Sequence, residues 1–272
     1  MPPTLTLGVF DSGFGGLTVL RELLPLIPGA RYLYLGDTAR LPYGSKSRET
    51  IARYALSSAR FLFEQGAQHL VVACNTATAL ALDDLKRDLP IPVTGVIAPG
   101  ATAAAKTAPG SHVLVLATSA TVQSGAYTQA LQAQGLTATE KACPLLVPLV
   151  EEGWLDATPA TQAVTADVLR IYLTEAKREA PHATSLLLGC THYPLLKPLI
   201  EQTLLSLNYP LQVIDSAQAT ALAVAQSIPP ISSTQIPTTH FYATDSIEKF
   251  QRLGSRFLGH PLPPVELIDL GG

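Results

Sequence analysis

The sequence predicts an α/β fold of two similar lobes, each a mainly parallel sheet flanked by helices. Three observations predict it. Apolar, strand-like runs alternate with stretches of helical period along the whole of the 272-residue chain. Several runs are short unbroken apolar blocks, such as His112–Ala117 (HVLVLA), which read as buried strands. One unit also occurs twice. His69-Leu70-Val71-Val72-Ala73-Cys74-Asn75-Thr76-Ala77 and Leu186-Leu187-Leu188-Gly189-Cys190-Thr191-His192-Tyr193-Pro194 share an order: apolar strand, small residue, Cys, hydrogen-bonding residues, helix.

The first half opens with a strand at Thr4–Phe10, and Gly13-Phe14-Gly15-Gly16 is a tight turn into a helix from Leu17 to Leu24. Ala30–Gly36 is a second strand ending at Asp37. Leu41-Pro42-Tyr43-Gly44 forms a loop, and Ser47–Gly66 carries the apolar period of a long amphipathic helix. The Cys74 strand follows with its helix to about Leu89, then a short strand at Val93–Ile97, closed by Ala98-Pro99-Gly100. The pattern then restarts. A small helix at Ala101–Lys106 precedes the His112–Ala117 strand, a helix at Gly125–Gly135 and a strand at Ala138–Ala142. Leu145–Val150 runs into Glu151-Glu152-Gly153, and Thr161–Ala180 is a long helix before the Cys190 strand. Leu195–Ser206 is helix, Leu211–Asp215 strand, Ala217–Ser227 helix and Pro229–Pro237 a Pro/Ser-rich surface loop. The chain closes with a strand at Thr239–Ala243, a helix from Ile247 to Leu258 and a strand near Val265–Leu270.

The repeat reads as an internal duplication. Crossing points near Ala98-Pro99 and Asn208-Tyr209-Pro210 give a first lobe of residues 1–98 and 210–272, completed by the C-terminal strands, and a second lobe of 99–209. The expected relation between the lobes is a pseudo-twofold, with the polar turns of both facing one central cleft. Ligands of open α/β sheets bind outside the carboxyl ends of strands, where both Cys residues fall.

Composition narrows the function. The net charge is -3, from 18 basic and 21 acidic residues, with no basic stripe, which argues against a nucleic-acid partner. No apolar run approaches the roughly 20 residues of a membrane span. Met1-Pro2-Pro3-Thr4 lacks a basic leader region, so no signal peptide is expected. Three cysteines fit no disulfide framework, and the expectation is a cytoplasmic protein with reduced thiols.

Cys is by default a small buried hydrophobe, and Cys143, followed by Pro144, reads that way. Cys74 and Cys190 instead lie where an apolar run stops and a helix begins. A helix N-terminus favours a thiolate, so both sulfurs are expected below the usual thiol pKa of about 8.5. Disulfide exchange would need a C-x-x-C pair, which is absent. A metal site would have two Cys and His192 but none of the usual ligand spacings, so no metal is expected. Two-base proton transfer at one carbon fits best: one thiolate removes a proton from one face while the other thiol delivers one to the opposite face.

Asp11-Ser12-Gly13 is the next candidate. The glycines after it match neither the dinucleotide nor the Walker pattern, so the carboxylate reads as a helix cap, a partner for a substrate ammonium or an aid to a thiol. His192 is either a satisfied core histidine or a group that tunes Cys190. Asn75, Thr76, Thr118, Thr121 and Thr191 are neutral donors at helix starts, each able to serve as a cap or to meet carboxylate oxygens. Glu151-Glu152 is a solvated pair or supplies one acid near Cys190.

FDSGFGGLTV (Phe10–Val19), LPYG (Leu41–Gly44), ACNTAT (Ala73–Thr78), CPLLVPLVEEG (Cys143–Gly153) and GCTHYPLL (Gly189–Leu196) together resemble the bacterial glutamate racemases of the aspartate/glutamate racemase family. The resemblance spans Phe10 to about Asp215. It implies two α/β lobes around a cleft, cofactor-independent interconversion of L- and D-glutamate, D-glutamate supply for peptidoglycan, and a homodimer. It implies that Cys74 acts on D-glutamate and Cys190 on L-glutamate, that Asp11 assists Cys74, and that His192 with Glu151 or Glu152 assists Cys190. Ser12, Tyr43, Gly44, Asn75, Thr76 and Thr191 are the implied substrate contacts, with Thr118 and Thr121 as additions. The absence of an extension before the first strand implies no regulation by a cell-wall precursor. The competing readings are a racemase of aspartate or a related acid, a non-catalytic amino-acid-binding protein on the same scaffold and, more remotely, a metal hydrolase.

Overall fold

A computed structural model describes residues 5–229 and 237–271, which form two compact units: 5–96 with 217–229 and 237–271, and 97–216.

In the first unit, β1 (Thr6–Asp11), β2 (Arg31–Gly36), β3 (His69–Val72) and β4 (Val93–Gly95) alternate with α1 (Leu17–Leu26), α2 (Arg48–Glu64) and α3 (Asn75–Asp88). The same unit holds most of α10 (Ser216–Ser227), then β9 (Thr238–Ala243), α11 (Ile247–Leu258) and β10 (Val265–Leu267). Its six strands are parallel, in the order β10-β9-β2-β1-β3-β4. β1 and β3 are buried along their whole length, as parallel strands covered on both faces must be. Helix α2 starts where the Ser47 side chain accepts the Thr50 N–H, and it buries Ile51, Ala55, Ser58, Ala59 and Leu62 along one face.

The second unit holds α4 (Ile97–Thr107), β5 (His112–Ala117), α5 (Ser119–Ser124), α6 (Ala126–Gln132), β6 (Thr137–Ala142), α7 (Leu146–Glu151), α8 (Pro159–Glu179), β7 (Ser185–Gly189), α9 (Lys197–Ser206) and β8 (Gln212–Asp215). Its four strands are parallel, in the order β6-β5-β7-β8. That order matches β2-β1-β3-β4 of the first unit strand for strand. Helix α8 begins with a reciprocal cap between Thr158 and Thr161 and with Pro159 at its first position, where no N–H partner is lost.

The alternation and both strand–Cys junctions lie where the sequence puts them, β9 and β10 do complete the first sheet, and the chain after Cys190 passes through a 3₁₀ turn (Tyr193–Leu196) before α9 rather than entering one helix at Leu195. Four further local expectations need correction. Residues 210–216 go with the second unit, because β8 pairs with β7 through registers such as Leu187↔Ile214. The strand after α3 stops at Gly95, and α4 starts at Ile97, not at Ala101. Pro99 is tolerated in its first turn because the N–H it lacks has no partner there. The segment after Thr118 forms a separate short helix, α5, divided from α6 by Gly125 at φ +64. The last strand ends at Leu267 rather than Leu270. Residues 230–236, most of the expected Pro/Ser-rich loop, and Thr4 lie outside the described residues.

Candidate active site

Each Cys follows the strand that is third in the shared order. In the first unit, Phe10 pairs with Val72, so Ser12 comes level with Cys74 just past the strand ends. In the second, Ala117 pairs with Gly189, so Thr118 comes level with Cys190. Both positions lie at the carboxyl edge of a parallel sheet.

Cys74 is the N-cap of α3: its sulfur accepts the Ala77 N–H at 3.4 Å and its thiol donates to Ser12 Oγ at 3.4 Å. Asp11, the last residue of β1, is buried, and its Oδ2 accepts the Gly13 N–H at 2.8 Å. Gly16 permits this packing, since a Cβ there would stand 2.5 Å from the Asp11 Cβ. The expected lowering of the Cys74 pKa is overturned. Burial pushes the thiol up to about 12, with the Asp11 charge adding to the rise, and the Ser12 and Ala77 hydrogen bonds offset only part of it. At this sulfur, burial outweighs the helix terminus. Asn75 and Thr76 occupy the buried first turn of α3.

Tyr43 opens a one-turn 3₁₀ helix (Tyr43–Ser45) and is buried in the same apolar cluster as Cys74 and Phe10. Its hydroxyl donates to Asp37 Oδ2, so it points away from solvent. Gly44 follows it and is half-buried.

In the second unit, Cys190 and His192 are both buried, with the sulfur 3.8 Å from His192 Nδ1. His192 Nε2 lies 3.0 Å from Glu151 Oε1 at the end of α7, and Thr191 Oγ1 lies 3.4 Å from Nδ1. Of the two adjacent acids, Glu151 meets the imidazole and Glu152 is exposed. Burial opposes a charged imidazole, but hydrogen bonds to Cys190 and Glu151, with their charges, outweigh it and hold the His192 pKa at about 10. The ring thus sits between the sulfur on its Nδ1 side and Glu151 on its Nε2 side, a setting that favours the charged imidazole. Thr118 caps α5 by accepting the Thr121 N–H at 3.4 Å, and the two hydroxyl oxygens lie 3.0 Å apart. Cys143 is a buried core thiol, raised to about 12 by burial.

Sequence reasoning passed over Asp37 and Arg40, a buried pair joined at 2.9 Å. The signal that could have found them is an Asp at a strand end with Arg three residues on and Tyr six residues on. Among the described residues, no three His, Cys, Asp or Glu side chains gather to hold a metal ion.

A family model described as Asp/Glu/Hydantoin racemase matches residues 17–224, most of the chain. The chain belongs to the aspartate/glutamate racemase family. Within that family it is 50% identical to a glutamate racemase of Koribacter versatilis, over 98% of each chain. It superimposes on the glutamate racemase isoform RacE1 of Bacillus anthracis with a TM-score of 0.88, at 35% identity and 98% coverage of each chain. A Francisella tularensis glutamate racemase solved with D-glutamate gives a TM-score of 0.87 at 32% identity, again over 98% of each chain. No described helix is long and apolar enough to cross a membrane.

Proposed function

We propose that this racemase-family chain interconverts L- and D-glutamate by proton transfer between two thiols and the α-carbon, without a cofactor. The observation that carries the reading is the matched placement of Cys74 and Cys190, each just past the third strand of the same four-strand order, at the carboxyl edge of its sheet. Racemisation needs an acid and a base of the same strength class on opposite faces of one carbon, exchanging roles with direction. A duplicated strand–Cys–helix unit supplies that need.

In the L-to-D direction the Cys190 thiolate takes the α-proton, and the Cys74 thiol gives its proton to the other face. The thiolate then left on Cys74 starts the reverse reaction. Asp11 assists Cys74, and His192 with Glu151 assists Cys190 by holding or returning a proton at the sulfur. Charge developing on the α-carboxylate is met by preorganised donors, drawn from backbone N–H groups at the helix starts and from Ser12, Tyr43, Gly44, Asn75, Thr76, Thr118, Thr121 and Thr191. The K. versatilis and B. anthracis relatives support glutamate over aspartate as substrate. The product serves peptidoglycan assembly, and the enzyme works as a cytoplasmic homodimer.

The test is optical. L-Glutamate mixed with the protein loses its circular dichroism to zero, and product formed in heavy water carries deuterium at the α-carbon. Tight glutamate binding without either change would replace this reading with a binding protein, and turnover of aspartate alone would move it to an aspartate racemase.

A further inference from the structure

We propose that Asp37 is a positioning residue: its buried carboxylate fixes the Leu41–Gly44 loop, and with it the backbone of Tyr43 and Gly44, beside the Cys74 site. The inference deepens the glutamate reading and rests on it. Asp37 follows β2 and is wholly shielded from solvent. Its N–H donates to the Asp11 carbonyl at 3.0 Å, which ties it to the strand that ends beside Cys74. Its side chain collects three donors from two stretches: Arg40 Nε at 2.9 Å and the Tyr43 hydroxyl from the loop after β2, and Thr244 Oγ1 at 3.0 Å from beyond β9. The Arg40 guanidinium also lies 4.6 Å above the Tyr54 ring, and Tyr54 stacks obliquely on Tyr43 with centroids 6.0 Å apart.

A carboxylate suits this place because it alone offers enough lone pairs for three side-chain donors at once. An amide has one oxygen, and its NH₂ must face one of those donors. The arrangement also says how Tyr43 takes part. Its hydroxyl is committed to Asp37, so what the loop presents to a substrate is backbone. Thr244 adds a second consequence. It follows β9, and it both donates to Asp37 and accepts the Ala39 N–H at 2.9 Å, while Thr38 exchanges two hydrogen bonds with Asp245. The segment after β9 thus clamps the same loop from the far end of the sequence.

The test is a kinetic split, read with both enantiomers. L- and D-glutamate have equal free energy, so kcat/KM is equal in the two directions for every variant, which gives an internal check. Asp37→Asn is expected to raise KM for both enantiomers by at least about fivefold while kcat stays within about threefold. Thr244→Val is expected to raise KM about twofold, and Thr244→Ser, which keeps the hydroxyl, to restore it. Because Asp37→Asn risks misfolding through its unpaired arginine, the two Thr244 variants carry the test if it does not fold. Unchanged KM in the folded variants, with only the melting temperature or kcat lowered, overturns the positioning role and leaves the glutamate reading intact. A wild-type protein with no glutamate turnover overturns that reading first, and this one with it.

Discussion

Cys74 and Cys190 hold equivalent places in two sheets of the same strand order, yet the groups around them differ in kind. Cys74 has an acid beside it, from β1, and a hydroxyl level with it; its thiol is held neutral by burial and by the Asp11 charge. Cys190 has a base beside it, two residues on in its own loop, and that base is backed by Glu151. The difference teaches that a shared strand order fixes the positions of the two sulfurs but not the means of handling their protons. On one side burial, reinforced by a carboxylate, keeps the proton on sulfur. On the other an imidazole stands beside the sulfur, within reach of its proton. The proposed reaction needs the two sulfurs in opposite protonation states, and unlike neighbours suit that need.

The largest test removes one sulfur at a time. Cys74→Ala and Cys190→Ala should each lower racemisation by at least about 10⁴-fold, as expected when either member of a two-group unit is lost, and each should melt within a few degrees of the wild type. If one variant kept near-normal turnover by polarimetry, the equivalence of the two sites would fail.

Next in size is Glu151→Gln, which strips the acid from the histidine side only. Turnover should fall on the order of tenfold to hundredfold. A pH series sharpens the result. His192 is raised from its ordinary 6.5 to about 10, so the stability it contributes is fully present below pH 6.5 and is lost as pH rises through about 10. Melting temperatures measured from pH 7 to 10 should therefore drop less steeply in Glu151→Gln than in the wild type. Parallel slopes would remove the imidazolium from the account.

The smallest effect belongs to the other side. Asp11→Asn deletes one of the two causes that raise Cys74, while burial remains. Alkylation of Cys74 by iodoacetamide at pH 9, followed by peptide mass spectrometry, should quicken modestly. An unchanged rate would assign the whole rise to burial.

The sequence reveals most of this architecture because apolar period and chain punctuation are local signals. Both Cys residues are found at strand ends, and the helix Ile247–Leu258 is read to the residue. What it hides is set by contacts distant in sequence. The membership of β8 depends on pairing with β7, which nothing inside Gln212–Asp215 announces. The direction of the Cys74 shift depends on how deeply the sulfur is buried, and a helix-start rule cannot weigh that against desolvation. The link from Glu151 to His192 spans two elements, so adjacent acids look alike until α7 is placed. Asp37 resembles any strand-end acid until Arg40, Tyr43 and Thr244 are seen to converge on it.

The pairing of β2 with β9 bears on synthesis. The second unit is contiguous and holds all four of its strands, so it can fold as soon as its stretch has left the ribosome. The first unit is made earlier but must wait, because the strand that covers β2 lies some two hundred residues downstream. Until Thr238–Ala243 emerges, β2 presents an open edge to other nascent chains. Truncation before β9 should therefore leave a chain whose middle is finished and whose beginning is not.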